Sequence, residues 1–118
     1  MRFASLGSGS EGNGLVVEAG ATRVLMDCGF GLADSVTRLA RLGLQPADLA
    51  GIVVTHEHSD HIGGVGRLAR RHRLPVWLTA GTLAKIQTRA INEGDHLCRN
   101  EEVWYQPLTK TDHAMPAV

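Results

Sequence analysis

The chain has 118 residues, 43% of them hydrophobic, and its twelve basic and twelve acidic residues cancel. That length suits one domain with a core, and the five aromatics (two Trp, one Tyr, two Phe) make that core aliphatic in expectation. Neutrality excludes a chain drawn as a whole to nucleic acid by net charge, two cysteines exclude a disulfide framework, and no apolar run approaches the roughly 18 residues of a membrane span.

The first predicted strand is Phe3–Leu6. A second, Gly14–Ala19, centres on Leu15-Val16-Val17, and a third covers Thr22–Asp27, with Gly20-Ala21 as the tight turn of a hairpin. Ala33–Leu42 reads as a helix whose inner face is Val36, Leu39, Ala40 and Leu42; Asp34 or Ser35 could cap it, and Gly43 ends it. Gln45-Pro46-Ala47-Asp48 is a turn into the apolar, β-branched run Gly51–Thr55. Beyond the next loop, Ile62, Val65, Leu68 and Ala69 fall at helical spacing, although Gly63, Gly64 and Gly66 weaken such a helix by about 0.5–1 kcal/mol each relative to alanine. Leu74–Thr79 is predicted as a strand, Thr82–Ala90 as a helix and Val103–Tyr105 as a last short strand. No repeat, low-complexity tract or linker interrupts this order.

The loop between the fourth strand and its helix is the most informative part of the chain. In Thr55-His56-Glu57-His58-Ser59-Asp60-His61, three imidazoles and a carboxylate lie within six residues. A solvated loop is the bland alternative, yet packing gives no reason to gather three of the six histidines of the chain there. Alternate side chains of an extended segment point the same way, so His56 and His58 can reach one ion together. Asp60 and His61 begin the next turn and are placed for a second ion, at the separation of about 3.5–4 Å typical of two-metal hydrolytic sites. Neutral imidazole and carboxylate suit zinc, with manganese or iron possible. Glu57 and Ser59 alternate away. The position, at a strand's carboxyl end, is where open α/β sheets place their sites.

A competing motif fails. Gly7-Ser8-Gly9-Ser10-Glu11-Gly12 fits the dinucleotide fingerprint G-x-G-x-x-G, with Asp27 about twenty residues on. The fingerprint requires a helix after the glycines, to hold the pyrophosphate at its N-terminus. Here a strand follows, and the glycines read as a turn.

The quartet His56, His58, Asp60 and His61 fills the H-x-H-x-D-H signature of the metallo-β-lactamase fold superfamily. Together with Phe3–Ser10, Gly12-Asn13 and Val24–Phe30, it resembles the YycJ/WalJ-like branch of bacterial metallohydrolases, regarded as 5′-to-3′ DNA exonucleases; the resemblance runs from about Met1 to Thr82. It implies an α/β (α+β) fold, the first half of an αββα sandwich, with a mixed sheet and helices on one face. It also implies two divalent ions, held here by His56, His58, Asp60 and His61, with Asp60 also orienting the proton of the attacking water. Asp27 takes the position of an acid that accepts a hydrogen bond from a ligating histidine and fixes its tautomer; a turn cap is its other reading. Ser8, Ser10 and Asn13 border the site in this branch, where backbone N–H groups could face a substrate phosphate.

The resemblance is incomplete. The superfamily's bridging Asp and final His have no counterpart, so residues 1–118 are expected to be a partial domain without its second half. Asp112-His113-Ala114 is similar, in altered order, to the branch's His-Asp-Ala segment; His113 is a candidate further ligand, against a solvated histidine. His72 and His96 carry no motif and read as surface residues. Arg67, Arg70, Arg71 and Arg73 form either a solvated helix face or phosphate contacts beside the metals. Cys28 is expected to be a buried free thiol, and Cys98 falls in a polar stretch. Without an apolar leader in Met1–Ser10, the cytoplasm is the expected compartment. Two functional readings remain. One is a metal-dependent hydrolase of DNA or another phosphodiester. The other is a catalytically incomplete half-domain that binds metal weakly or not at all. Oligomeric state is not legible.

Overall fold

The computed structural model describes residues 1–56, 58–84 and 105–108, with 59, 60 and 105–108 described through their backbone. Among the described residues, six strands form one mixed sheet in sequential order: β1 Arg2–Gly7, β2 Gly14–Ala19, β3 Thr22–Met26, β4 Gly51–Val53, β5 Val76–Thr79 and β6 Tyr105–Leu108. The first three are an antiparallel meander; β3 to β6 are mutually parallel. Helices α1 Leu32–Ala40, α2 Ser59–Ile62 and α3 Val65–His72 lie in the connections between the parallel strands. This is the expected α/β class with a mixed sheet.

The β-branched and aliphatic runs set the strands, and their alternation sets the faces. Val16, Leu25, Ile52 and Val76 stand opposite one another across four strands and join Leu6 and Leu78 in the core. Leu39 of α1 and Val65, Leu68 and Ala69 of α3 cover them, all at 0–1% exposure. The other sheet face carries Leu15, Val17, Val24, Met26 and Val53, each half-buried, and Phe3 at 72% exposure. The β2–β3 hairpin has the expected two-residue connection, with Gly20 at φ 61°.

Several boundaries differ from the sequence reading. Helix α1 starts at Leu32 behind an extended Gly31, and neither Asp34 nor Ser35 caps it. Asp34 instead pairs with Arg38 at 2.9 Å, and Ser35 is buried, its hydroxyl donating to the Gly31 carbonyl at 2.8 Å. The inner face is Leu32, Ser35 and Leu39; Val36 and Leu42 are 37% and 40% exposed. The small Ser35 sets the phase because its polar group has partners inside, so the expected apolar stripe is rotated outward. Gly43, at φ 73°, ends the helix as expected.

Strand β4 is shorter than Gly51–Thr55, because Val54 and Thr55 already belong to the site loop. The motif helix is split into α2 and α3 at Gly63-Gly64. Gly64 is a close approach: a Cβ there would lie 1.7 Å from the Phe30 carbonyl oxygen. Strand β5 begins at Val76, since Pro75 has no N–H for the ladder; its carbonyl accepts from Ile52 N–H at 2.9 Å. Residues 80–84 are helical from two positions earlier than expected, with Thr79 Oγ1 accepting from Thr82 N–H at 3.1 Å; the rest of the expected Thr82–Ala90 helix lies outside the described residues. Of the expected last strand Val103–Tyr105, Tyr105 opens β6, which runs to Leu108, and the first two residues lie outside the described residues.

Candidate metal centre

Parallel pairing puts the carboxyl ends of β3 and β4 side by side, and the chemistry gathers there. Asp27 follows β3 directly, and its N–H donates to the Val53 carbonyl of β4 at 2.7 Å. It sits at φ 64°, in the left-handed region that Asp tolerates better than most residues. That kink sends the next backbone step toward α2, where Cys28 N–H donates to the His61 carbonyl at 2.7 Å and Gly64 N–H donates to the Cys28 carbonyl at 2.8 Å. The β3 end and the histidine loop are thus stitched by backbone before any side chain acts.

The Asp27 carboxylate, 6% exposed as a residue, accepts three hydrogen bonds. Thr55 N–H donates to Oδ1 at 2.7 Å; Thr55 Oγ1 donates to Oδ2 at 2.5 Å; His61 Nδ1 donates to Oδ2 at 2.8 Å. Thr55 Oγ1 also lies 2.9 Å from His56 Nδ1. Its single proton is committed to the carboxylate, so the His56 ring is the donor in that contact. Both rings therefore direct Nδ1–H into this network, which makes Nε2 the nitrogen each would offer a metal. One buried acid fixes two imidazole tautomers, directly at His61 and through Thr55 at His56.

Ligand atoms of Asp27, His56 and His61 lie within 4.8 Å of one another. The Asp27 oxygens are already occupied by three donors, so its chemistry is that of an orienting acceptor; the two Nε2 atoms are the better ligands. The rings of His56 and His61 are 4.7 Å apart. His58 lies outside this group, its exposed ring stacked 6.3 Å from His56, although alternation pairs it with His56. The reason is that Thr55 anchors His56 toward Asp27, while the His58 carbonyl is taken by the start of α2, from His61 N–H at 2.9 Å and Ile62 N–H at 3.0 Å. Asp60 lies in the first turn of α2, one residue before His61. Its side chain, Glu57, His96, Cys98 and His113 fall outside the described residues. The donor set of two imidazoles, buttressed by a buried carboxylate, fits a divalent metal ion.

Beside this end, Gly7–Gly12 with Phe30 and Arg38 lines a cavity of about 340 Å³ that includes Ser8 and Ser10. Asn13 holds the loop's shape: its amide donates to the Gly9 carbonyl at 2.8 Å and accepts from Gly9 N–H at 3.2 Å. Added Cβ atoms at Gly7 and Gly12 would meet the Phe30 ring at 2.9 and 2.5 Å, so the glycines let the loop close on that ring. Arg38 stacks on the same ring at 4.0 Å and donates to the Leu6 carbonyl at 2.6 Å. Thr55 and Arg38 were not singled out as site residues by the sequence reading. Thr55 had a usable signal, being the polar residue at the strand end next to the first histidine; Arg38 had none. A second cavity, about 360 Å³ and lined by Arg2, Glu18, Arg23 and Leu42–Leu44 among others, contains none of these groups. Cys28 is a buried free thiol, its Sγ 3.1 Å from Ser35 Oγ, and burial pushes its pKa up.

Residues 7–96 match the family described as the Metallo-beta-lactamase superfamily, and the chain belongs to it. Relatives include an exodeoxyribonuclease WalJ of Streptococcus pneumoniae, 38% identical over 81 residues, covering 69% of this chain and 30% of that protein. An exodeoxyribonuclease YycJ of Bacillus anthracis is 42% identical over 82 residues, covering 70% and 31%. Among solved structures, a B3 metallo-β-lactamase with an active-site glutamic acid superposes with a TM-score of 0.60 at 25% identity, over 71% of this chain and 32% of that one. The chain therefore spans about 30% of the length of these curated relatives. No helix among the described residues is long and apolar enough to cross a membrane.

Proposed function

We propose that this chain is the metal-ligand-bearing first part of a divalent-metal-dependent phosphodiesterase, and that its substrate is DNA attacked from a 5′ end. The observation that carries the reading is the Asp27 carboxylate holding the His61 ring at 2.8 Å and, through Thr55, the His56 ring. The exodeoxyribonuclease names of the relatives support the substrate class. His56, His58, Asp60 and His61 hold two divalent ions, zinc first, with manganese or iron as alternatives. Bound ions would supply Lewis acidity and a nucleophilic water at neutral pH. Asp27 and Thr55 keep the His56 and His61 rings in the ligating tautomer. Asp60 orients the proton of the attacking water. Ser8 and Ser10 line the adjoining cavity, where hydroxyl and backbone donors meet a substrate phosphate; Asn13 shapes that loop. Residues 1–118 then form part of a larger αββα domain, His113 is a candidate further ligand, and a buried reduced Cys28 suits the cytoplasm.

A second reading is favoured by the same 30% coverage: a half-domain that binds at most one ion and turns nothing over. Metal stoichiometry and hydrolysis of 5′-phosphorylated DNA separate the two. Two tightly held ions per chain, with turnover lost in His58→Ala, is the expected result. One weak ion or none, with no turnover, would establish the second reading.

A further inference from the structure

We propose that the solvent face of α3, together with its capping residue Arg73, is a contact surface for the phosphate backbone of a nucleic-acid strand running away from the histidine loop. The inference rests on the phosphodiester reading above and adds to it a path for the strand.

Helix α3 is sharply two-sided. Val65, Gly66, Leu68 and Ala69 are buried, whereas Arg67 and Arg71 are exposed and Arg70 half-buried. The polar face is entirely basic, with no carboxylate in the helix. Four of the chain's twelve basic residues fall between 67 and 73, in a protein of zero net charge. Arg67 and Arg70 already have interaction partners, so the charge left to meet a ligand is local to Arg71 and Arg73, at the end of α3 away from α2, which carries His61.

Two further observations separate this face from an ordinary solvated helix. Arg2, Arg23 and Arg38 each meet a carboxylate, but among the described residues neither Arg71 nor Arg73 is in an ion pair. Burial, and then the Arg71 charge, push the pKa of the neighbouring His72 down. Arg73 occupies the left-handed C-cap, φ 54° and ψ 48°, where glycine is the usual residue and any side chain is strained. Arg73 thus keeps a long side chain at a backbone position that glycine would fill without strain.

The eight residues of α3 span about 12 Å at ~1.5 Å per residue. That is the length of about three or four nucleotides at ~3.4 Å each. Arg71 and Arg73 would then touch phosphates a few nucleotides from the cleaved end, so the contribution of this face grows with strand length and is smallest on a dinucleotide.

The test uses the full chain and a fluorescently labelled 5′-phosphorylated single strand, with binding read by anisotropy in EDTA across a salt series. The Arg71→Gln/Arg73→Gln double variant should bind several-fold more weakly, and its slope of log K against log salt should shrink by about 1.4, from about 0.7 per phosphate contact. In turnover assays KM should rise more for a long strand than for a dinucleotide. Arg73→Gly is the folding control: glycine relieves the left-handed strain, so its unfolding midpoint should hold or rise while DNA affinity falls. Equal affinity and salt slope in the wild type and the double variant would overturn the proposal, as would equal losses on the dinucleotide and the long strand. Binding in EDTA needs no turnover. A chain that never cleaves DNA but loses binding in the double variant supports this face and refutes the hydrolase; one that cleaves with an unaltered salt slope refutes this face alone.

Discussion

Replacing Gly64 with alanine tests the close approach that joins the two halves of the site. Its backbone, φ −104° and ψ −5°, is open to any residue, so conformational preference alone predicts a stabilisation of about 0.5–1 kcal/mol. Contacts predict the opposite sign. The new methyl would sit 1.7 Å from the Phe30 oxygen, 2.9 Å from its carbonyl carbon and 3.2 Å from Cys28 Sγ. Contact at about 3.5 Å requires backbone to move by more than 1 Å. That movement strains the Gly64–Cys28 and Cys28–His61 hydrogen bonds, 2.8 and 2.7 Å, worth about 0.5–1.5 kcal/mol each. Overpacking of this kind costs about 1–3 kcal/mol. After the propensity gain, a net loss near 3 kcal/mol remains, roughly 10 °C in melting temperature for a chain of this size. His61 shifts with its carbonyl, so affinity for zinc should also fall at least tenfold. Thermal unfolding and a chelator-competition titration read both effects. Gly81→Ala is the control: nothing lies within 4 Å of its Cβ and the residue is helical, so it should be neutral or slightly stabilising. A Gly64→Ala protein that melts at or above the wild-type temperature would refute the steric argument.

Asp27→Asn should keep the fold, since Asn also tolerates φ 64°, while zinc affinity falls by about 10–100-fold; unchanged affinity in a chelator competition would remove Asp27 from the site. Thr55→Val should weaken zinc binding and Thr55→Ser restore it, because only the hydroxyl links Asp27 to His56; nitrogen NMR shifts of the His56 ring should show the Nδ1–H tautomer in the wild type and lose it in Thr55→Val. Cys28 has a raised pKa from burial, so the folded chain retains a thiol proton that the unfolded chain releases. Stability should therefore drop as pH rises past the ordinary thiol value, and Cys28→Ala should flatten that alkaline limb in urea titrations. His72 runs the other way: its pKa is lowered in the fold, so the unfolded chain binds the extra proton first and stability is lost as pH falls below the ordinary imidazole value. His72→Gln should remove that acid-side slope.

The metal loop was legible because its information is local: four candidate ligands within six residues, bounded by a β-branched run and a helical period. Asp27 was legible through its strand-end position and the family resemblance. The Thr55 hydroxyl link was not, because it depends on a pairing 28 residues apart that exists only once β3 and β4 lie parallel. The α1 phase was misread for a related reason. Val36 and Leu42 look like core by hydropathy, but Ser35 faces inward because the Phe30 and Gly31 carbonyls and Cys28 Sγ wait there. Gly63 and Gly64 suggested a weak helix; what demands glycine at Gly64, the Phe30 carbonyl, is more than thirty residues away in sequence and leaves no local trace.

Phe30 touches both loops at once, with its ring against Gly7 and Gly12 and its carbonyl against Gly64. For protein engineering this means the serine-bearing rim and the cation seat cannot be redesigned as independent modules. A grafted rim would have to bring its own small residues opposite this ring, and substitutions made on the two sides should combine non-additively.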